Sequence, residues 1–183
     1  RHKRSNCQGM RNEELMSDYI PNARNLNWII GFGCMFLMGA ALYMEHMMHL
    51  EPCPLCIFQR VAVIAAGLIA IAAALHNPAQ VGIKVYGLLV VLASAVGSAL
   101  ATRQLYLQSL PEDQVPSCGP GLDYLLDVFP MQEVIQMVLV GDGSCAEVVW
   151  TLLGVSIPGW TLVGFIGLVT LGLFQAFRNN AHQ

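Results

Sequence analysis

Residues 53–75 read CPLCIFQRVAVIAAGLIAIAAAL, and this stretch decides the fold. It joins a Cys-x-x-Cys motif to a long apolar run with no charged residue after Arg60. Crossing the roughly 30 Å of hydrocarbon in a bilayer takes about 20 helical residues. The stretch therefore predicts a transmembrane helix with two thiols at its start.

Charged residues are also missing from three other long stretches, 25–44, 85–102 and 148–177. Hydrophobic residues make up 55% of the chain and charged residues only 11%, against about 25% charged in an ordinary soluble domain. The alternative is a soluble protein with buried helices, but four such runs would leave it almost no polar face for water. We predict an all-α membrane protein, a four-transmembrane-helix bundle.

The predicted spans cover 27–47, 57–76, 83–104 and 158–177. Pro158 sets the start of the last span, because proline suits the first turn of a helix and breaks its middle. The short loop 48–56 and the large loop 105–157 then share one side of the membrane. The tails 1–26 and 178–183 lie on the other side.

Basic residues near the span ends predict the orientation, because cytoplasmic loops are enriched in Lys and Arg. Only Arg60 and Arg103 fall on the side of the two loops. Seven lie on the side of the tails: Arg1, Lys3, Arg4, Arg11, Arg24, Lys84 and Arg178. We expect cytoplasmic termini, with the first span acting as signal anchor in place of a cleavable signal peptide. The chain has no basic patch that would indicate nucleic acid.

The large loop contains a short helical pattern between Cys118 and Cys145. Its apolar face consists of Met131, Val134, Ile135 and Val138, and its polar face of Gln132, Glu133 and Gln136. Ten residues cannot span a bilayer. An amphipathic helix of this length either lies flat on the outer membrane surface or packs on the bundle, and both remain open. The turn-rich segments 110–113 and 115–121 are not expected to form regular helix.

Four of the six cysteines, Cys53, Cys56, Cys118 and Cys145, fall on the loop side. Disulfides persist outside the cytosol and are rare within it, so this distribution favours a bacterial periplasm or its equivalent. Four cysteines allow three pairings, and sequence alone does not choose among them. We assign no role to Cys7 in the tail. Cys34 lies mid-span, where a small buried thiol is expected to serve packing.

Cys53 and Cys56 occupy a chemically distinctive position. Pro52 and Pro54 hold the approach to the span extended, which places both sulfurs at a helix N-terminus, where free amides and the helix dipole favour a thiolate. Arg60 lies one turn after Cys56 on the same face and would further favour an anionic sulfur. An arginine just inside a membrane indicates a functional site; the alternative is a side chain that reaches the lipid headgroups.

Cys118 and Cys145 form the expected second pair, separated by 26 residues of the large loop. Such a disulfide is either a structural staple or a labile bond that exchanges with a partner thiol. A zinc site is the other common use of four cysteines. It normally needs two close pairs, whereas only one pair is close here. We therefore predict no metal.

Several motifs together resemble the disulfide bond formation protein B (DsbB) family. They are EPCPLCIFQR at 51–60, CGP at 118–120 and GSCAE at 143–147, followed by Trp150, Leu153-Gly154 and IPGW at 157–160. The resemblance extends from about residue 27 to residue 177. It implies a bacterial inner-membrane, quinone-dependent enzyme that reoxidises a periplasmic thioredoxin-fold dithiol oxidase of the DsbA type.

The resemblance also implies roles for the cysteines. The partner's thiolate attacks Cys118, the released Cys145 attacks Cys53, and Cys56 passes electrons to a membrane quinone, either ubiquinone or menaquinone. Arg60 is expected to stabilise the Cys56 thiolate and the developing quinol anion. All four cysteines are thus predicted to be catalytic.

Gln104 departs from the family pattern, because the family often has a histidine there that is thought to hydrogen-bond the quinone. Glutamine can still donate through its amide, but it does not titrate near neutral pH. We expect Gln104 to contact the quinone while water or another group delivers protons. Arg103 is expected to meet lipid headgroups or the quinone. His46 and His49 are either proton relays or surface residues without a role.

Two other functions fit parts of the pattern. One is an enzyme of related chemistry with a different partner, such as a vitamin-K-type reductase, although that fold places its CxxC motif late in the bundle. The other is a non-enzymatic membrane protein that is stapled by disulfides or binds a metal. Consumption of quinone by the purified protein separates the enzymes from the structural protein.

Overall fold

The computed structural model describes residues 22–117, 119 and 122–178. Within them it contains helices α1 (Ala23–Met48), α2 (Pro54–His76), α3 (Gln80–Gln108), α4 (Leu122–Val128), α5 (Met131–Val140), α6 (Gly143–Ala146) and α7 (Ile157–Phe177), a 3-10 helix (Glu112–Gln114), and strands β1 (Thr151–Leu152) and β2 (Val155–Ser156). Helices α1, α2, α3 and α7 are long and apolar enough to cross a membrane. The predicted four-helix, all-α membrane fold is confirmed.

Local sequence explains where the long helices begin and end. Pro54 stands in the first turn of α2, where its missing N–H costs nothing. Asn77 ends the same helix in the left-handed conformation (φ 44°) that asparagine tolerates, and its N–H donates to Ala73 O at 3.0 Å. Each predicted span lies inside one of these helices. The helices are longer than the predicted spans, because a run without charged residues marks the apolar part of a helix and not its ends.

Small residues bring α3 and α7 close together along the bundle. A side chain at Gly87 would come within 3.0 Å of Gly172 O, and one at Gly97 within 2.2 Å of the Phe165 ring. Lipid tails are as apolar as leucine, so helices in a membrane associate through such close packing. Phe165 is 1% exposed and belongs to the bundle core. The missing side chain at Gly97 is therefore what admits the Phe165 ring between the helices.

The outer faces of the long helices remain apolar. Phe36 on α1, Leu68 on α2 and Val81 on α3 are exposed to between 62% and 76%. A monomeric soluble protein rarely exposes so extensive an apolar surface to water. These side chains form the surface expected against lipid.

Helix α5 confirms the helical pattern predicted in the large loop, and it packs on the bundle. Val134 and Val138 are buried in a cluster with Leu55 at the start of α2 and Leu107 at the end of α3. The other two members of the predicted apolar face, Met131 and Ile135, stay exposed at 61% and 39%. Half of that face therefore meets the protein, and half remains free.

A short hairpin that the sequence analysis did not anticipate precedes α7. Strands β1 and β2 pair antiparallel, Thr151 with Ser156 and Leu152 with Val155. Leu153 and Gly154 form the turn with positive φ values of 53° and 79°, as a tight two-residue hairpin requires. Trp160 of α7 donates its indole N–H to Leu152 O at 3.2 Å. The hairpin is thereby fixed to the start of the last membrane helix.

We predict that Gly97→Ala destabilises the bundle by about 1–3 kcal/mol, because the added methyl group would overlap the Phe165 ring. Gly167→Ala is the matched control: it lies on α7, and no atom lies within 4 Å of the position of a new Cβ. Thermal unfolding in detergent measures both. Equal unfolding temperatures for the two variants would show that Phe165 does not pack against Gly97.

Candidate active site at the cysteine end of the bundle

Cys53 and Cys56 lie where the sequence places them, at the start of α2. Cys53 is the N-cap residue with an extended backbone (φ −67°, ψ 162°), and Pro54 begins the helix behind it. The Cys53 thiol donates to the Cys56 sulfur at 2.9 Å, so the pair is a hydrogen-bonded dithiol. Cys53 is buried and Cys56 is half-buried. A small rearrangement of the two side chains would suffice to join the sulfurs in a disulfide.

Cys145 comes to the same place from the large loop. Asp142 caps the short helix α6 and accepts a hydrogen bond from the Cys145 N–H at 3.2 Å. Cys145 is fully buried and lies in the same buried cluster as Cys53. Three thiols from two separate segments therefore form one cluster. This arrangement is what direct exchange between the loop cysteine and the CxxC pair requires.

The pKa values of Cys53 and Cys145 shift in opposite directions. The bond from Cys53, opposed by burial and assisted by the Leu55 N–H, holds the pKa of Cys145 below its ordinary value. The same contact with Cys145, followed by the bond to Cys56 and by burial, raises the pKa of Cys53. Cys145 is accordingly the member of this pair that ionises more readily in the reduced protein.

A glycine turn determines how α6 reaches the cluster. Gly141 follows α5 with φ 79°, and a side chain there would come within 2.3 Å of Leu107 Cδ1. Glycine adopts this conformation without strain and lets the backbone lie directly on α3. The turn delivers α6, and with it Cys145, to the start of α2.

Cys118 lies outside the described residues, as does Cys7. The neighbours of Cys118 in the chain, Ser117 and Gly119, lie beside α6. Gly143 donates its N–H to Ser117 O at 3.4 Å, and a Cβ at Gly119 would lie 3.7 Å from Asp142. A cavity of about 470 Å³ opens there, lined by Ser117, Gly119, Asp142 and Cys145 among others. The assignment of Cys118 as the first site of attack stays a prediction.

The Gln104 amide contacts both sulfurs of the CxxC pair. Its Nε2 lies 3.2 Å from Cys53 Sγ and 3.3 Å from Cys56 Sγ, and the side chain is 3% exposed. Gln104 is the residue predicted from the sequence to contact a quinone. The structure places it against the sulfurs that would exchange electrons with a quinone.

Arg60 points toward α1. Its guanidinium forms an ion pair with Glu45 and donates to Ala41 O at 3.5 Å. Glu45 is a residue that the sequence analysis did not single out. The available signal was an acidic side chain at the end of one span facing an arginine near the start of the next. The cation lies one turn from Cys56, as predicted, with its charge balanced by a carboxylate.

Arg103 and His46 bind neighbouring backbone groups. Arg103 was expected to meet lipid headgroups or the quinone, but its Nε and Nη2 donate to Leu139 O at 3.1 Å and Val140 O at 2.9 Å. A cation suits the carbonyl end of a helix, so Arg103 ties α5 to α3. His46 Nδ1 lies 3.0 Å from Leu42 O of its own helix, and His49 is the exposed residue that ends α1.

Cys34 is buried at 3% exposure in the centre of the bundle, beside Gly67 of α2. A side chain at Gly67 would come within 2.9 Å of Cys34 Cβ. This position agrees with the packing role expected from the sequence.

We predict that Cys145 ionises at a lower pH than an ordinary thiol, because Cys53 donates to its sulfur. In a titration of the reduced protein, followed by thiolate ultraviolet absorbance, the signal lost in Cys145→Ser should appear below the ordinary thiol range. Cys53→Ala removes the donor and should move this midpoint to higher pH. Cys34→Ala, a buried thiol elsewhere, should leave it unchanged. An unmoved midpoint in Cys53→Ala would contradict the hydrogen bond.

We further predict that Arg103→Met loosens α5. Two charge-assisted hydrogen bonds to the end of this helix are lost, which should ease its local opening by about 1–3 kcal/mol. Amide hydrogen exchange across 131–140 measures the effect. Arg24→Met, an exposed arginine on the first turn of α1, serves as control. Unchanged exchange in Arg103→Met would show that the loop holds α5 without this contact.

The fold and the site together define a class of protein: a helical membrane protein that holds redox-capable thiols at one end of its bundle. Comparison with known proteins narrows this class. The family model described as disulfide bond formation protein DsbB matches residues 23–175. The chain belongs to the DsbB family.

Relatives described as disulfide bond formation protein B support this membership. The protein of Hahella chejuensis is 59% identical over 142 residues, which cover 78% of this chain and 86% of the relative. That of Saccharophagus degradans is 49% identical over 159 residues, covering 87% and 96%. That of Marinobacter nauticus is 55% identical over 154 residues, covering 82% and 92%. The chain is thus a disulfide-forming oxidoreductase of the membrane.

Proposed function

We propose that the protein reoxidises a periplasmic thioredoxin-fold dithiol protein of the DsbA type and passes the electrons to a membrane quinone. The clustering of Cys145 with Cys53 and Cys56 at the start of α2 is the single observation that carries the proposal. It connects a thiol of the water-exposed loop with a dithiol at the apolar edge of the bundle. Thiol–disulfide exchange between these cysteines would carry electrons from a water-soluble donor toward a lipid-soluble acceptor.

Each step of the proposed route conserves electrons and protons. A thiolate of the partner attacks Cys118 in a Cys118–Cys145 disulfide and releases Cys145 as thiolate. The second thiol of the partner closes its own disulfide and frees Cys118. Cys145 attacks Cys53 of a Cys53–Cys56 disulfide, and Cys56 leaves as thiolate. Cys118 then attacks Cys145 of the resulting Cys53–Cys145 disulfide, which restores the loop disulfide and releases Cys53. The net change is one partner disulfide gained and one Cys53–Cys56 dithiol formed.

The residues around Cys56 suit a quinone. A quinone supplies a two-electron, two-proton acceptor that dissolves in the hydrocarbon of the membrane. Cys56 is half-buried at the start of a membrane helix, the Gln104 amide lies 3.3 Å from its sulfur, and Arg60 follows one turn later on the same helix. Amide and guanidinium donors stabilise negative charge on an oxygen or a sulfur. Gln104 is uncharged and does not titrate, so protons reach this site through water or another side chain.

Orientation follows from this function. The CxxC pair and the large loop face the periplasm, and both termini face the cytoplasm of a bacterial inner membrane. The distribution of Lys and Arg supports this arrangement. Labelling of Cys53 and Cys56 in intact cells with a membrane-impermeant thiol reagent tests it. Labelling only after the cytoplasm is opened would overturn the proposal.

We predict that the purified protein consumes a soluble quinone analogue when it is mixed with a reduced thioredoxin-fold partner. Cys56→Ser should abolish consumption, because its thiolate donates the electrons, and Cys118→Ala should lose the mixed disulfide with the partner. Cys34→Ser, which changes a buried thiol remote from the cluster, should retain full activity. Disulfides without any quinone consumption by the parent would favour the alternative, a non-enzymatic disulfide-stapled membrane protein.

A further inference from the structure

A pair of buried amides lies directly behind the CxxC motif. Gln59 on α2 is 4% exposed and Gln104 on α3 is 3% exposed, both within helices that span the membrane. A polar side chain that is buried without a partner costs free energy, so each amide needs a hydrogen bond. Gln59 Nε2 donates to Gln104 Oε1 at 2.7 Å. This is the shortest of the hydrogen bonds that Gln104 makes among the described residues.

The bond from Gln59 selects one of two orientations of the Gln104 amide. A glutamine amide can turn by half a rotation, which exchanges its oxygen and its NH₂ group. With Oε1 held by Gln59, the NH₂ group faces Cys53 Sγ at 3.2 Å and Cys56 Sγ at 3.3 Å. Oε1 lies farther from the Cys56 sulfur, at 3.6 Å. The reverse orientation would set two donors against each other and turn an oxygen toward the sulfurs.

We propose that Gln59 is a positioning residue, which acts through Gln104 to keep two N–H donors on the CxxC sulfurs. A sulfur anion accepts such bonds strongly and a disulfide sulfur accepts them weakly. The donors therefore stabilise the reduced pair relative to the disulfide, which makes the pair a stronger oxidant. The inference rests on the proposed function for the direction of electron flow, but its effect on the cysteine pair does not require a quinone.

The chemistry that Gln59 influences is a balanced exchange. When the Cys53–Cys56 disulfide takes up two electrons and two protons from glutathione, the S–S bond breaks and one glutathione disulfide forms. Neither Gln59 nor Gln104 gains or loses a proton in this exchange, because amides do not titrate. Gln59 thus alters only the relative stability of the two oxidation states.

The test measures this equilibrium in the full-length, quinone-free protein. The fraction of Cys53–Cys56 disulfide is determined by alkylation and mass spectrometry across a series of glutathione ratios. We expect Gln59→Met, which keeps the volume and removes the donor, to shift the equilibrium toward the disulfide by about tenfold, or ~30 mV. Gln104→Met should shift it at least as far. Gln59→Met in a Gln104→Met background should add nothing, because the residue through which it acts is gone.

Gln175→Met is the matched control. Gln175 is also a buried glutamine in a membrane helix, 1% exposed on α7, and its amide has no hydrogen-bond partner among the described residues. It should leave the glutathione equilibrium unchanged. If Gln59→Met does not fold, Gln59→Asn serves instead, since its amide falls one methylene short of Gln104 and should produce the same shift.

Two results would overturn the inference: an equilibrium in Gln59→Met and Gln59→Asn equal to that of the parent, or shifts in the double variant that add in full. Failure of the proposed function is a different observation, a parent protein that never reduces quinone. A single-turnover reaction of the pre-reduced parent with a quinone analogue separates the two. If Gln59 acts as proposed, Gln59→Met should also change that rate while Gln175→Met does not.

Discussion

The contact between Cys145 and Cys53 is the interaction on which the rest of the cysteine end depends. It joins a residue of the large loop to the N-cap residue of a membrane helix. Asp142 caps α6 and orients Cys145, while α5 packs Val134 and Val138 beneath the loop. Arg103 fastens the far end of α5 to α3. Each of these contacts narrows the positions that the Cys145 sulfur can take.

The second constraint is the apolar surroundings, in which a polar side chain gains stability from a partner within the protein. Glu45 with Arg60 joins α1 to α2, and Gln59 with Gln104 joins α2 to α3. The α2 members of these pairs, Gln59 and Arg60, lie about one turn after Cys56. Because a buried amide or charge without a partner is costly, these pairs favour one rotation of each helix about its axis. The same rotation brings the thiols and their donors together.

The fold was predictable to the extent that it depends on local sequence. A charge-free run of sufficient length identifies a membrane helix without knowledge of its neighbours, and Pro54 beside the cysteines identifies a helix start. The pairing of Gln59 with Gln104 was not predictable, since it depends on how α2 and α3 face each other. A polar residue inside an apolar run was the available signal at both positions. The binding of Arg103 to α5 was not predicted for the same reason. The position of α5 on the bundle depends on tertiary packing and cannot be deduced from the local sequence of the loop.

Gly141 carries no chemistry, yet its lack of a side chain lets the segment that holds Cys145 lie against α3, close to Cys53. The backbone there rests on Leu107, and α6 begins immediately afterwards. A larger residue at this position would push α6 away from α3 and increase the distance between Cys145 and Cys53. Damage at this turn would therefore imitate the loss of a cysteine while every reactive group remained intact. The loop therefore determines the distance between Cys145 and Cys53 as well as the surroundings of each thiol.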